Sequence, residues 1–282
     1  MQVQRRGERL KIGFIGTGNM GTILIEALIE SRAVIPSSLT ITNRTIDKAL
    51  NIKKRFPDIQ VAERPEEVIT ESDAVFICVK PLDIYPLLKR LSPVFTRDQI
   101  VVTITSPVQV EQLEAIVSCQ AARVIPSITN RALSGVSLLT FGESCTAEAK
   151  EKLTALVSKI SIPLEIESGI TRVASDIVSC GPAFVSYLVQ EFIQAAVEET
   201  SVSKEDAILM TTEMLVGLGR LLETGHYTLP ALQEKVCVKG GVTGEGIKAL
   251  ESGVQDMFRQ MFRNTHLKYE EDIALVKKQF SV

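Results

Sequence analysis

Residues 10–21 decide the fold: they read LKIGFIGTGNMG, an apolar run that passes directly into a glycine-rich turn. Gly16, Gly18 and Gly21 form a Gly-x-Gly-x-x-Gly pattern, and apolar residues then recur at helical spacing. A strand, such a turn and a helix in immediate succession are typical of the first unit of a dinucleotide-binding domain. The first glycine permits the tight turn, the second lets the backbone approach a pyrophosphate, and the third allows close helix–strand contact.

We therefore predict that this turn binds a dinucleotide, with a glycine-rich turn that has no ligand as the alternative. Asn19 is placed to cap the helix and Met20 to pack on the cofactor, unless both are ordinary residues of a helix start. The predicted cofactor residues of the turn are Gly16, Thr17, Gly18, Asn19, Met20 and Gly21.

The segment at the end of the second predicted strand, residues 40–45, indicates which dinucleotide is bound. NAD-binding domains place an acidic residue about 20 positions beyond the glycines, to accept a hydrogen bond from the ribose, and the segment TITNRT contains none. Arg44 offers a planar, permanently charged fork for a 2′-phosphate, with Asn43 beside it. We predict NADP, with a solvated Arg44 as the alternative. Three residues after the fourth predicted strand join the cofactor site, because open α/β sheets bind ligands there: Val79, Lys80 and Pro81.

Beyond the glycine turn, short β-branched runs alternate with helical stretches as far as residue 126. The predicted strands are residues 10–15, 39–42, 59–62, 74–79, 100–105 and 123–125. Uniformly apolar strands suit a parallel sheet covered on both faces, and right-handed crossovers then give a doubly wound domain. Two further strands, 135–141 and 162–166, flank a helix at 147–160, and the chain after residue 168 is helical. We predict an α/β Rossmann domain at 1–168 and an all-α domain at 169–282.

The predicted helix at 182–200 carries information about assembly. Ser186, Gln190 and Gln194 form one narrow polar stripe, and apolar residues cover most of the remaining surface. Such a helix must be buried on most sides, and the second domain is small for that task. We predict a homodimer through the C-terminal helices, or a larger assembly built from it, with burial within one chain as the alternative.

Composition excludes several classes of protein. With 31 Lys and Arg against 34 Asp and Glu, the net charge is −3, and the only basic cluster is Arg5, Arg6 and Arg9, so we expect no nucleic-acid partner. Glycines interrupt the apolar run near the start, so we expect neither a signal peptide nor a membrane span. The five cysteines are isolated, which predicts reduced thiols in the cytoplasm. His226 and His266 have no metal-ligand or triad spacing, so we expect no metal.

Four motifs resemble those of the pyrroline-5-carboxylate reductase family and occur in the same order. They are GFIGTGNMG at 13–21, VKP at 79–81, CGPAF at 180–184 and GGVT at 240–243. The resemblance covers nearly the whole chain after residue 10. It implies NAD(P)H on the Rossmann domain, an interlocked helical dimer, and reduction of a cyclic imine carboxylate to proline. It also implies substrate-binding residues Gly240, Gly241, Val242 and Thr243, and catalytic residues Thr243, Cys180 and Ser179.

Departures from the family pattern fall in the substrate region. The pattern Pro-Gly-Gly-Thr-Thr reads KGGVT at 239–243, Met-Pro-Asn-Thr-Pro reads IPSIT at 125–129, and Ser-Gly reads Val178-Ser179. This resembles the divergent late-competence, ComER-like branch of the family. Cys180, which opens a helix, is either activated by the helix dipole or a packing residue.

Three functions therefore remain open. The first is a reductase, and the second is an NADP-binding regulatory protein of competence in which the reductase chemistry is weakened or lost. The third, a hydroxyacid dehydrogenase, is disfavoured because no lysine lies between Lys159 and Lys204.

Overall fold

The computed structural model describes residues 10–280, so the basic cluster Arg5, Arg6 and Arg9 lies outside the described residues. One sheet of eight strands has the order β3-β2-β1-β4-β5-β6-β7-β8, and only the β6–β7 pair is antiparallel. The strands are β1 Ile12–Ile15, β2 Leu39–Thr42, β3 Gln60–Val61, β4 Ala74–Ile77, β5 Ile100–Thr103, β6 Gln120–Ile125, β7 Val136–Phe141 and β8 Ile162–Glu165. The order β3-β2-β1-β4-β5-β6 is that of a doubly wound dinucleotide-binding sheet, as predicted.

Among the described residues, seven α-helices accompany this sheet: α1 Asn19–Glu30, α2 Ile46–Arg55, α3 Pro65–Thr70, α4 Pro81–Leu91, α5 Val110–Glu114, α6 Ala147–Val157 and α7 Thr171–Ser175. Alternate strand residues enter two apolar clusters on opposite faces of the sheet. Phe14 and Phe76 stack in one cluster with ring centroids 5.0 Å apart, and Val75 and Ile77 belong to the other. The prediction missed α3, because a helix of six residues that begins with a proline is too short to show a helical period.

Helices alone follow the sheet within the described residues: α8 Gly181–Glu199, α9 Lys204–Glu223, α10 Leu229–Val236, α11 Val242–Glu251 and α12 Val254–Phe280. Ser203 caps α9, since its hydroxyl accepts a hydrogen bond from the Asp206 N–H at 3.1 Å. The predicted fold class, a Rossmann domain followed by an all-α domain, is confirmed. Within residues 10–280, no helix has both the length and the apolar character that a membrane span requires.

The chain folds into two compact units that do not coincide with the predicted division at residue 168. The described part of the first comprises residues 10–180 and 265–280, and the second comprises residues 181–264. The C-terminal half of α12 belongs to the first unit because Val276 and Phe280 are buried in the same apolar cluster as Ile84 and Leu88 of α4. A contact between segments so far apart in sequence leaves no periodic signal, so the pattern did not predict it.

Candidate functional site

The glycine turn after β1 leaves no room for side chains at two positions. Gly16 has a φ of +105°, and a Cβ there would lie 2.4 Å from the carbonyl oxygen of Cys78. A Cβ on Gly21 would lie 2.4 Å from the carbonyl oxygen of Gly16. The absence of side chains at Gly16 and Gly21 therefore lets the start of α1 pack closely against the carboxyl ends of β1 and β4, as expected for a nucleotide-binding turn.

The centre of the same turn is open. Apart from Gly18 and its two chain neighbours, no atom of residues 10–280 lies within 4 Å of the position that a Cβ on Gly18 would occupy, and Gly18 is the N-cap of α1. Thr17 is 4% exposed, and its hydroxyl has no hydrogen-bond partner within the described residues. An open approach to a helix N-terminus beside an unpaired buried hydroxyl fits the pyrophosphate of a dinucleotide. Asn19 is the first residue of α1, so its predicted capping role is wrong.

Two residues after β2 differ in their contacts: the Asn43 side chain is hydrogen-bonded, and the Arg44 side chain is exposed. The Asn43 side chain accepts a hydrogen bond from the Thr17 N–H at 2.9 Å and donates one to the Thr45 carbonyl at 3.0 Å. Asn43 therefore fixes the glycine turn relative to the β2–α2 loop. Arg44 is exposed and makes no hydrogen bond or ion pair with any residue that the structure describes, so its guanidinium is available to a phosphate.

The predicted residues after β4 lie at the same edge of the sheet. Val79 is half-buried, Lys80 is exposed at the N-cap of α4, and Pro81 is the first residue of that helix. Because β1, β2 and β4 are adjacent and parallel, their carboxyl ends bring the three predicted cofactor segments together.

Ser179 and Cys180 lie in a π-helical turn, Asp176–Cys180, directly before α8. The Ser179 hydroxyl donates to the Pro126 carbonyl at 2.5 Å, and the Arg172 guanidinium donates to the Cys180 sulfur at 3.4 Å. Both predicted catalytic side chains are therefore engaged within the first unit. Turns of this kind occur frequently at functional sites.

The predicted substrate loop lies in the second unit, before α11. Gly240 has a φ of +76°, and Gly241 is the N-cap of α11. Val242, the first residue of the helix, is 90% exposed, and Thr243 is half-buried. The first turn of a helix leaves backbone N–H groups without intrahelical acceptors, so the amides of Val242 and Thr243 can bind an anion.

Comparisons with known proteins cover nearly the whole chain. Residues 169–272 match a family model for pyrroline-5-carboxylate reductase dimerisation, and residues 11–107 match one for coenzyme F420-dependent NADP oxidoreductases. Pyrroline-5-carboxylate reductase 3 of Bacillus subtilis is 33% identical over 270 residues, 95% of this chain and 99% of that protein. The chain belongs to the pyrroline-5-carboxylate reductase family.

A further relative shows the branch of the family, and a solved structure shows the same fold. ComE operon protein 4 of Bacillus subtilis is 71% identical over 273 residues, 97% of this chain and 100% of that protein, which confirms the predicted ComER-like branch. The structure of Plasmodium falciparum pyrroline carboxylate reductase with NADP bound has a TM-score of 0.80 at 20% identity, and the match covers 95% of this chain and 99% of that one.

This member of the pyrroline-5-carboxylate reductase family has polar residues near the predicted site that the sequence analysis did not select. Arg123 in β6 is 1% exposed, and Arg172 pairs at 2.7 Å with Asp176, which is also buried. Thr265 of α12 donates to the same carboxylate at 2.7 Å. Arg123 is the first residue of the strand predicted at 123–125. Arginine is rarely found in a buried strand, and this could have marked it as a residue with a special role.

Two thiols and the two histidines of this family member lie in different environments. Burial raises the pKa of Cys119 to about 12 and that of Cys78 further, so both thiols stay protonated. His226 and His266 are exposed, the latter 3.3 Å from Glu270. Across residues 10–280, no group of three or more His, Cys, Asp or Glu side chains is arranged to hold a metal ion.

Proposed function

We propose that this protein is an NADPH-dependent oxidoreductase that reduces a cyclic imine carboxylate, pyrroline-5-carboxylate or a related compound. One observation carries the proposal: the dinucleotide turn is complete, with an open Gly18 and an unpaired Thr17 hydroxyl, in a chain that matches a reductase along its length. The chemistry makes modest demands, because an iminium carbon is already electrophilic and needs chiefly orientation and shielding from water.

The cofactor assignment rests on the residues at the carboxyl edge of the sheet. The glycine turn at 16–21 would hold the pyrophosphate, and Arg44 would pair with the 2′-phosphate, since no acidic residue follows β2 to favour NAD. Asn43 acts by positioning the two loops, because both ends of its amide are engaged. Bound NADPH would supply a hydride to the imine carbon.

The substrate assignment rests on the N-terminus of α11. The backbone N–H groups there and the Thr243 hydroxyl would hold the substrate carboxylate. Ser179 and Cys180 receive positioning roles in this proposal, since the Ser179 hydroxyl already donates to Pro126 and Cys180 accepts from Arg172.

The proposal includes a homodimer in the cytoplasm. No residue of α8 is buried within the single chain, and Val185, Tyr187 and Phe192 are each more than half exposed. Such an apolar surface is typical of a subunit interface, and the matching family model is described as a dimerisation domain. The five free cysteines suit a reducing compartment.

A regulatory protein that binds NADP without turnover is the second candidate. Val242 favours it, because this exposed residue of the substrate loop lacks the hydroxyl of the family pattern. The 71% identity to ComE operon protein 4 makes a competence-related role worth testing.

An assay that monitors NADPH oxidation by absorbance, in the presence of pyrroline-5-carboxylate, distinguishes the two candidate functions. Proline formation supports the reductase. Binding of NADPH by calorimetry, without oxidation across a panel of cyclic imine carboxylates, supports the regulator.

A further inference from the structure

The loop after β5 is held by buried groups that play no part in the cofactor and substrate assignments above. Arg123, in the inner strand β6, donates to the Ser106 carbonyl at 3.1 Å and to the Val108 carbonyl at 3.4 Å. Both carbonyls belong to residues 104–109, which connect β5 to α5. One buried guanidinium therefore holds two points of this loop.

A second residue reaches the same loop from the far end of the chain. The Tyr269 hydroxyl, on the C-terminal half of α12, donates to the Ser106 carbonyl at 3.1 Å. Burial raises the pKa of Tyr269, so the hydroxyl stays a donor at neutral pH. The Arg172 guanidinium lies over the Tyr269 ring, 5.4 Å from its centroid. The Ser106 carbonyl thus accepts from two buried donors.

Arg123 is a costly residue to bury in this place. It has no carboxylate partner among the described residues, and its remaining recorded bonds are to the hydroxyls of Thr140 at 3.2 Å and Thr171 at 2.8 Å. Burial lowers its pKa, and its Nε has no hydrogen-bond partner in the part of the chain that the structure describes. Burying an unpaired charge opposes folding unless polar groups are arranged around it. The arrangement found here directs that charge at the loop carbonyls.

The topology indicates which part of a dinucleotide this loop would face. In a doubly wound sheet the cofactor crosses the carboxyl edge at the β1/β4 switch point, with one nucleotide on each half. The glycine turn follows β1, and Arg44 follows β2, so the adenosine half lies over β1–β3. The nicotinamide half then lies over β4–β6, and the loop at 104–109 follows β5 within that half.

We propose that Arg123 and Tyr269 are positioning residues that fix the loop at 104–109 as a wall for the nicotinamide ring. This inference rests on the proposed binding of NADPH. It concerns orientation and not affinity, because neither side chain needs to contact the cofactor. Loosening the wall is expected to leave the pyrophosphate and 2′-phosphate contacts intact while the ring becomes less ordered.

Tyr269→Phe tests the inference with the loss of one oxygen atom. We expect NADPH and NADP⁺ to bind with almost unchanged Kd, measured by calorimetry, while the fluorescence lifetime of bound NADPH moves toward that of the free cofactor. If turnover occurs, kcat should fall by about 10-fold with little change in KM, and the primary isotope effect with deuterated NADPH should rise, because hydride transfer requires close alignment.

Tyr85→Phe is the matched control. Tyr85 contacts the same half of α12 through Phe280, at a centroid distance of 4.9 Å, and no hydrogen bond is recorded for its hydroxyl in residues 10–280. Its replacement should leave the lifetime unchanged. Arg123→Lys keeps the positive charge but loses the planar guanidinium. The fluorescence lifetime of NADPH bound to this variant should lie between the lifetimes for the wild type and for Arg123→Met. Tyr269→Phe keeps the proposal testable if the Arg123 variants fail to fold.

The outcomes separate this inference from the proposed reductase activity. An unchanged lifetime and isotope effect in folded Tyr269→Phe overturns the positioning role. Binding of NADPH without turnover contradicts the reductase alone, and the lifetime measurement still decides the positioning role. A wild type that does not bind NADPH contradicts both.

Discussion

Glycines 18 and 21 have different tasks, and the structure predicts different consequences for their replacement. Gly18→Val adds a side chain in open space, so thermal stability should remain while NADPH binding is lost, because the side chain occupies the pyrophosphate approach. Gly21→Ala places a Cβ 2.4 Å from the Gly16 carbonyl oxygen, so both stability and binding should fall. Thermal unfolding and calorimetry check this; a Gly18→Val protein that binds NADPH normally would contradict it.

Arg44 is expected to select the phosphorylated cofactor. Arg44→Ala should weaken NADPH binding by about 1.5–3 kcal/mol, the scale of a hydrogen bond to a charged group, and leave NADH nearly unchanged. Arg97→Ala, which removes an exposed arginine from the loop before β5, is the control and should change neither. An equal loss of binding free energy for NADPH and NADH, measured by calorimetry, would show that Arg44 does not bind the 2′-phosphate.

Thr243 is expected to bind the substrate carboxylate. Thr243→Val keeps the shape but loses the hydroxyl, so kcat/KM should fall roughly 10- to 150-fold, about 1.5–3 kcal/mol, with NADPH affinity unchanged. Thr212→Val, at an exposed position of α9, is the control. Val242→Thr with Lys239→Pro should raise turnover of pyrroline-5-carboxylate. If the wild type and this double variant are both inactive while NADPH binds, the regulatory function is the better account.

At the scale of elements, the sequence predicted the features whose residues lie close together in the chain, and it did not predict contacts between distant segments. The turn at 16–21 was identifiable because its constraint lies within one βα unit. The start of α9 is likewise a local feature, since the Ser203 hydroxyl accepts a hydrogen bond from the Asp206 N–H three residues later. The short helix α3 and the π-helical turn before α8 carry no period of their own. The Asn43 bridge and the Arg123 contacts join distant segments, so only the folded chain reveals them.

Helix α8 is expected to lie in the subunit interface. Phe192→Glu puts a charge on its exposed apolar surface, and burying that charge at an interface would cost several kcal/mol. We expect the wild type to show no monomer by light scattering at low micromolar concentration, and Phe192→Glu to dissociate or aggregate. Gln194→Glu, on the polar stripe of the same helix, should leave the assembly intact. A well-folded wild-type monomer would contradict the proposed dimer.

At the scale of the whole molecule, the order of the predicted strands and helices and the composition of the chain predicted the class of fold. They did not predict the tertiary contacts of the last helix. The βα alternation and the helical remainder are properties of neighbouring residues, so they were visible in the sequence. The return of residues 265–280 to the first unit depends on Val276 and Phe280 meeting α4. The departures from the family pattern at 239–243 were also visible in the sequence. Their effect on activity depends on how the substrate binds, which the sequence pattern does not give.

The central claim is that this chain reduces a cyclic imine carboxylate with NADPH. The most direct measurement is the rate of NADPH oxidation by the purified wild type on addition of pyrroline-5-carboxylate, with proline quantified as the product. The account predicts oxidation that saturates with substrate, one proline per NADPH consumed, and a slower rate with NADH. NADPH that binds but is not oxidised by pyrroline-5-carboxylate or any related cyclic imine carboxylate would contradict it.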